Sequence, residues 1–225
     1  MPESMTAPDL EQRADHIVEQ IDRFVADGKR VVLSSSFQTQ SLPLLHLVSR
    51  SRGVTVYFLD TGYHFPETLE FRDQVTEQLG LDVVSLHSAT TKAAQVGPHG
   101  HLLFAEDPDY CCYLNKTAPM ETVAAASDIW ISGVRRDQSE TRRQLDEFVV
   151  RSDGTTRYHP MLDWTEPMIA DYQERHDLPR HPLDDRGYVS IGCAPCTRNI
   201  PGSDRGGRWF GMEKTECGLH VDLVR

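Results

Sequence analysis

Five cysteines stand in an order that can do chemistry. Cys111-Cys112 is a tandem pair, Cys193-Ala194-Pro195-Cys196 forms a C-x-x-C, and Cys217 stands alone near the end of the chain. Four thiolates suit a tetrahedral metal or an iron–sulfur cluster. A structural zinc site draws on two C-x-x-C-like knuckles, a pattern an adjacent pair matches poorly. The fifth cysteine lies between Lys214 and His220, whose charges favour a thiolate, although a lone cysteine near a chain end is more often inert. Arg135, Arg136, Arg142, Arg205 and Arg208 supply guanidinium forks that match phosphate and sulfate oxygens. Ser34-Ser35-Ser36 offers hydroxyls and backbone N–H groups ahead of a helix, a place that favours an anion.

These residues need elements to hold them. Leu10, Ala14, Ile17, Val18, Ile21, Phe24 and Val25 recur at helical spacing over Asp9 to Ala26, with Gly28 placed to end the run. Arg30 to Leu33 reads as a strand that breaks into the serine string, followed by a helical pattern through Leu42, Leu45, Leu47 and Val48. The unit repeats: Val54 to Leu59 is a buried strand, Asp60-Thr61-Gly62 its terminal turn, and Pro66 to Leu79 a helix opened by proline. Leu81 to Leu86 gives a third strand, Tyr110 to Ala126 a helical stretch and Asp128 to Val134 a fourth strand. Beyond Phe148 the pattern predicts a hairpin through Ser152-Asp153-Gly154, a helix over Glu166 to His176, and a tail rich in Gly, Pro, Arg and Cys.

Strands alternating with helices imply right-handed crossovers and an α/β fold with a doubly wound, mostly parallel sheet. Such sheets bind ligands at the carboxyl ends of their strands, where Ser34 to Ser36, Asp60 to Gly62 and Arg135 to Ser139 are expected to converge. One domain is expected over residues 1–225, with an α/β core at about 28–165 and a cysteine-containing tail at about 186–225.

Composition narrows the classes. The 225 residues are 39% hydrophobic, enough for a core, and carry a formal net charge of -11 with a pI near 5.3. That charge argues against a nucleic-acid surface, which needs a basic face. The sequence lacks an apolar run of bilayer-spanning length and a signal pattern, so a cytoplasmic protein with no membrane partner is expected. Thiols remain reduced there, which favours ligands and nucleophiles over disulfides. Trp130 and Trp164 read as core, His46 as a structural histidine on an apolar helix, and Glu106, Asp107 and Asp109 as a solvated face. His99 and His101, flanking Gly100, make a weak metal pair.

Taken together, the chain resembles the assimilatory sulfonucleotide reductases, the family of adenylyl-sulfate and phosphoadenylyl-sulfate reductases. The likeness rests on Leu33-Ser34-Ser35-Ser36-Phe37, Leu59-Asp60-Thr61-Gly62, Pro66-Glu67-Thr68, Cys111-Cys112, Gly133 to Ser139, Ser190 to Thr197 and Glu216-Cys217-Gly218-Leu219-His220. The resemblance implies an adenine-nucleotide α-hydrolase-like fold. It implies substrate contacts from Ser34, Ser35, Ser36, Phe37, Asp60, Thr61, Gly62, Lys116, Arg135, Arg136, Arg142, Arg205, Arg208 and His220. It also implies one [4Fe-4S] cluster per chain on Cys111, Cys112, Cys193 and Cys196, with Cys217 as nucleophile.

The implied reaction is reduction of adenylyl sulfate to sulfite and AMP through an S-sulfocysteine, with thioredoxin or glutaredoxin as reductant; a homo-oligomer is compatible with it. The 3′-phosphorylated substrate, or both, is the alternative, because Ser34 to Phe37 and Asp60 to Tyr63 resemble the phosphoadenylyl branch whereas the four ligand cysteines resemble the adenylyl branch. An ATP-using adenylating enzyme would need glycines that Ser35 to Gln40 lacks. A zinc-bearing nucleotide-binding module without catalysis is the third reading. Two positions depart from the family: Gln38 stands where glycine is common, and Asn115 where arginine often precedes Lys116.

Overall fold

The computed structural model describes residues 7–200, 207–211, 214 and 219. The opening helix α1 spans Ala7–Ala26; its Leu10, Ala14, Ile17, Val18 and Ile21 are buried, as their spacing requires. There follow β1 (Val31–Ser35), α2 (Leu42–Ser49), β2 (Val54–Leu59), α3 (Pro66–Leu79) and β3 (Asp82–Leu86). Proline opens α3, and Gly80 at φ 61° closes it by donating its N–H back to the Thr76 and Glu77 carbonyls.

The expected helix over Tyr110 to Ala126 is built in pieces. A short α4 (Leu103–Glu106) precedes it, and the stretch itself comprises α5 (Pro108–Cys112), a π-helical turn over Tyr113–Thr117 and α6 (Ala118–Ala125). After them come β4 (Ile129–Ser132), α7 (Glu140–Arg143), the hairpin β5 (Phe148–Val150) and β6 (Thr156–Tyr158), and α8 (Glu166–Arg175).

The six strands lie in the order β3-β2-β1-β4-β6-β5, all parallel except the antiparallel β5–β6 hairpin. Both faces are covered, so consecutive residues of β1 are buried rather than alternating: Val31 and Leu33 join the large core with Val56, Phe58 and Ile131, while Val32 joins Tyr57, Met120 and Trp130 on the opposite face. The strand order reverses between β1 and β4, which opens a crevice at their carboxyl ends. Strand β1 continues through Ser34 and Ser35, which pair with Tyr57 and Phe58, so two of the three serines belong to the sheet rather than to a loop.

Candidate active site

A cavity of about 290 Å³ fills that crevice. Ser34, Ser35 and Ser36 enter from β1, Gly133 to Arg135 from the end of β4, and Lys116 from the π-helical turn. The serines are held by short-range bonds: Trp130 Nε1 donates to Ser34 Oγ at 2.9 Å, Phe37 N–H donates to Ser35 Oγ at 3.2 Å, and Gln38 Nε2 donates to Ser36 Oγ at 3.2 Å. Gln38, flagged in the sequence as a departure, also accepts from the Ile191 N–H at 2.9 Å, tying the serine loop to the segment that leads into Cys193.

Several expected contacts lie elsewhere. Phe37 sits at φ 52° and turns its ring into the core against Phe58, so it shapes the loop and does not line the cavity. Asp60 accepts the Gly62 N–H at 2.9 Å, Lys92 donates to the Gly62 carbonyl, and Thr61 Oγ1 lies 3.2 Å from Cys193 Sγ. That turn therefore braces the cysteine side rather than the nucleotide cavity. Arg136 points away, its guanidinium on the Leu145 carbonyl and on Asp163. Arg205, Cys217 and His220 lie outside the described residues.

Lys116, Arg135, Arg142 and Arg208 do line the cavity. Arg135 is fixed by Asp137 at 3.0 Å and by Gln40 at 3.2 Å, and Arg142 donates to Gln138. Arg208 follows an antiparallel bridge between its own residue and Thr197, and its guanidinium donates to the Ile191 carbonyl at 3.2 Å. Two glycines make this approach possible. A Cβ at Gly207 would strike the Arg198 carbonyl, and one at Gly192 would strike the Arg208 guanidinium.

The four described cysteines rim a second, smaller cavity with Thr61, Tyr63, Asn115, Lys116, Arg208 and Trp209. Cys111 and Cys112 end α5, while Cys193 and Cys196 flank a 3-10 turn that Tyr63 anchors by accepting the Ala194 N–H at 2.7 Å. All four are buried free thiols. Burial, then the neighbouring Cys112, Cys193 and Cys196 sulfurs, push the Cys111 thiol up to about 12, and Lys116 opposes the shift. Burial and the other sulfurs raise Cys196 likewise, opposed by Lys116 and Arg208. Among the described residues no group of three or more His, Cys, Asp or Glu side chains is set to hold a single metal ion. Lys116, Arg208 and Trp209 line both cavities, so two cations stand where the cysteines meet the crevice.

Sequence reasoning missed His64 and misread Asn115. His64 lines the crevice; its Nε2 donates to the Leu59 carbonyl at 2.9 Å, and burial holds its pKa down at about 4, so the ring is neutral at pH 7. Its place five residues after the β2 strand end was the available signal. Asn115 is 2% exposed and pairs with buried Gln95 through two amide bonds of 2.6 and 2.9 Å. The same Asn115 amide nitrogen donates to the Cys111 carbonyl at 2.8 Å and lies 3.6 Å from its sulfur. Asn115→Leu is expected to lower the unfolding free energy by about 2–4 kcal/mol, since Gln95 and the Cys111 carbonyl both lose partners. Denaturant titration checks this, and a Gln95→Leu/Asn115→Leu double variant should cost less than the two single changes together. Strictly additive costs would contradict the pairing.

A doubly wound sheet with a crevice at its switch point defines an α/β protein of the adenine-nucleotide α-hydrolase-like fold. Two solved structures share it: the phosphoadenylyl-sulfate reductase of Candida auris in its phosphate complex, with TM-score 0.67 and 20% identity over 85% of this chain and 97% of that one, and the FMN adenylyltransferase of Candida glabrata, with TM-score 0.60 and 10% identity over 100% and 82%. Sequence takes the assignment further. Residues 30–199 match the family model described as the phosphoadenosine phosphosulfate reductase domain, and the chain belongs to that family. It is 43% identical to an adenosine 5'-phosphosulfate reductase of Streptomyces coelicolor, over 86% of this chain and 83% of that protein. It is 40% identical to a phosphoadenosine 5'-phosphosulfate reductase of Gloeobacter violaceus, over the same shares.

Proposed function

We propose that this chain reduces adenylyl sulfate to sulfite and AMP, with Cys217 as nucleophile and thioredoxin as reductant. The observation that carries the reading is the pair of cations, Lys116 and Arg208, shared by the crevice and the cysteine-lined cavity. The Cys217 thiolate attacks the sulfate sulfur, the bond from that sulfur to the bridging oxygen breaks, and AMP leaves with the electron pair. A thioredoxin thiolate then attacks Cys217 Sγ, sulfite departs with the sulfur–sulfur bonding pair, and the second thioredoxin thiol releases Cys217 by disulfide exchange. Negative charge grows on the departing phosphate oxygens during the first step, and fixed guanidinium and ammonium groups aimed there lower its barrier.

The ligand set fits a [4Fe-4S] cluster: four buried cysteines on two chain segments rim one cavity, close enough that the Cys112, Cys193 and Cys196 sulfurs raise the Cys111 thiol, with no histidine or carboxylate in the described lining. Cys111, Cys112, Cys193 and Cys196 would hold it. When bound, the cluster would link α5 to the C-x-x-C segment through its ligands and supply a fixed charge distribution; the reducing electrons come from thiols.

Adenylyl sulfate is favoured because all four cysteines of the cluster-bearing pattern are present and buried around one cavity. The relative from Streptomyces coelicolor, named for adenosine 5'-phosphosulfate, supports the same choice. Among the described residues no helix is long and apolar enough to cross a membrane, and a cytoplasmic setting would keep these thiols reduced. The test is sulfite release by anaerobically purified protein with thioredoxin, comparing the two nucleotides. Faster turnover of the 3′-phosphorylated form would reassign the substrate, and no release from either would end the reductase reading. Lys116→Met, which keeps length and apolar volume, is expected to lower kcat/KM about 10²- to 10³-fold; a loss below about threefold would remove Lys116 from the charge-stabilising role.

A further inference from the structure

Arg157 lies in β6, beside β4, and is 1% exposed. Burying a guanidinium costs several kcal/mol unless its surroundings compensate, yet Arg157 is not among the residues lining the crevice. Its guanidinium carbon sits 3.8 Å from the centre of the Trp130 ring, and Nη2 donates to the Leu219 carbonyl at 2.7 Å. Leu219 also packs its side chain on the cluster of Val32, Tyr57, Leu59 and Trp130, and it lines the crevice. Trp130 in turn donates to Ser34 Oγ. One line of contacts thus runs from the serine end of β1 through Trp130 and Arg157 to a residue two positions beyond Cys217.

The other side of Cys217 is tied as well. Lys214, three positions earlier in the sequence, is buried and paired with Asp109, which lies two residues before Cys111. Two residues of chain span at most about 7 Å, so whatever fixes Leu219 sets the tether on which residue 217 works.

We infer that Arg157 is a positioning residue: it holds Leu219 against Trp130 so that the attacking cysteine, two residues earlier in the sequence, meets the sulfonucleotide bound at Ser34 to Ser36. This rests on the reading of Cys217 as nucleophile. Trp130 makes the seat responsive to the site, because the same indole holds the serine that lines the nucleotide cavity.

The test uses full-length, cluster-loaded protein. Two variants, Arg157→Gln and Arg157→Lys, are compared with wild type in single turnovers without reductant, in AMP binding, and in amide hydrogen exchange of the C-terminal peptide. Arg157→Gln is expected to slow sulfo transfer about 100-fold, the scale of a misplaced reacting group, with AMP affinity within about threefold and faster exchange in the terminal peptide. Arg157→Lys should recover about tenfold of that loss, since an ammonium still donates to the carbonyl. Should Arg157→Gln fail to fold, Arg157→Lys carries the test alone and should slow transfer about tenfold, with faster exchange in the terminal peptide. Wild-type transfer rates and unchanged exchange in folded variants overturn the inference, as does a loss that falls equally on AMP binding. If wild type itself transfers no sulfo group, the Cys217 reading fails, and the exchange data still decide whether Arg157 holds the segment.

Discussion

Sulfite release by a Cys217→Ser variant is expected to fall at least about 10⁴-fold, to the level of the solution background, while nucleotide affinity changes by less than about threefold. A serine hydroxyl has a pKa far above that of a thiol, so almost none is ionised at neutral pH, and oxygen cannot form the sulfur–sulfur bond that thioredoxin must later break. The separation of effects is the informative part. The crevice is lined by Lys116, Arg135, Arg142 and Arg208 from elements fixed in the fold, so binding should survive loss of the thiol. Isothermal titration with AMP beside a sulfite assay reads both quantities. Sulfite release within about tenfold of wild type would show that another group carries the sulfur.

A Cys193→Ser variant is expected to lose the brown chromophore, with its broad absorption near 400 nm, and to lose activity with it. Cys193 carries structural tasks beyond a ligand's. It pairs by an isolated bridge with His64, its sulfur lies against Thr61 Oγ1, and its carbonyl accepts from both Cys196 N–H and Thr197 Oγ1. The loop it anchors brings Ile191 to Gln38 and Arg208 to the crevice. Loss of the cluster should therefore weaken nucleotide binding too, by about tenfold or more, unlike the Cys217 substitution. Iron and sulfide analysis with the absorption spectrum checks the first part, and titration the second. A colourless wild-type protein with one zinc per chain would replace the cluster by a structural zinc.

Much of the architecture was legible because it depends on residue type and period. Leu10 to Ile21 mark one face of α1, and the β-branched runs at Val31 and Val54 mark strands buried on both faces. The joint presence of the cysteine pairs and the polar strand ends named the family. What the sequence could not carry was the direction of individual side chains. Phe37 follows three crevice serines, yet its left-handed backbone sends the ring into the core. Arg135 and Arg136 are neighbours, and only the first faces the cavity, because the chain passes from extended to 3-10 geometry between them.

Long-range pairing was equally hidden. Gln38 looked like a poorly suited substitute for glycine, but its partner, the Ile191 N–H, lies 153 residues away. Asn115 looked like a lost charge, whereas it holds Gln95 and the carbonyl of Cys111. The Asp60 to Gly62 turn ends β2 beside the crevice, as expected of a strand end, but the 3-10 turn from Cys193 packs against it and claims it for the cysteine side.

The central claim is that sulfur passes through a cysteine of this chain. It is tested most directly by mixing anaerobic protein with adenylyl sulfate, without thioredoxin or any other thiol, and mapping the peptides by mass. The account predicts one equivalent of AMP per chain and a single sulfo group on Cys217, released as sulfite when thioredoxin is added. AMP without a covalent adduct, or a sulfo group on any other residue, would contradict it.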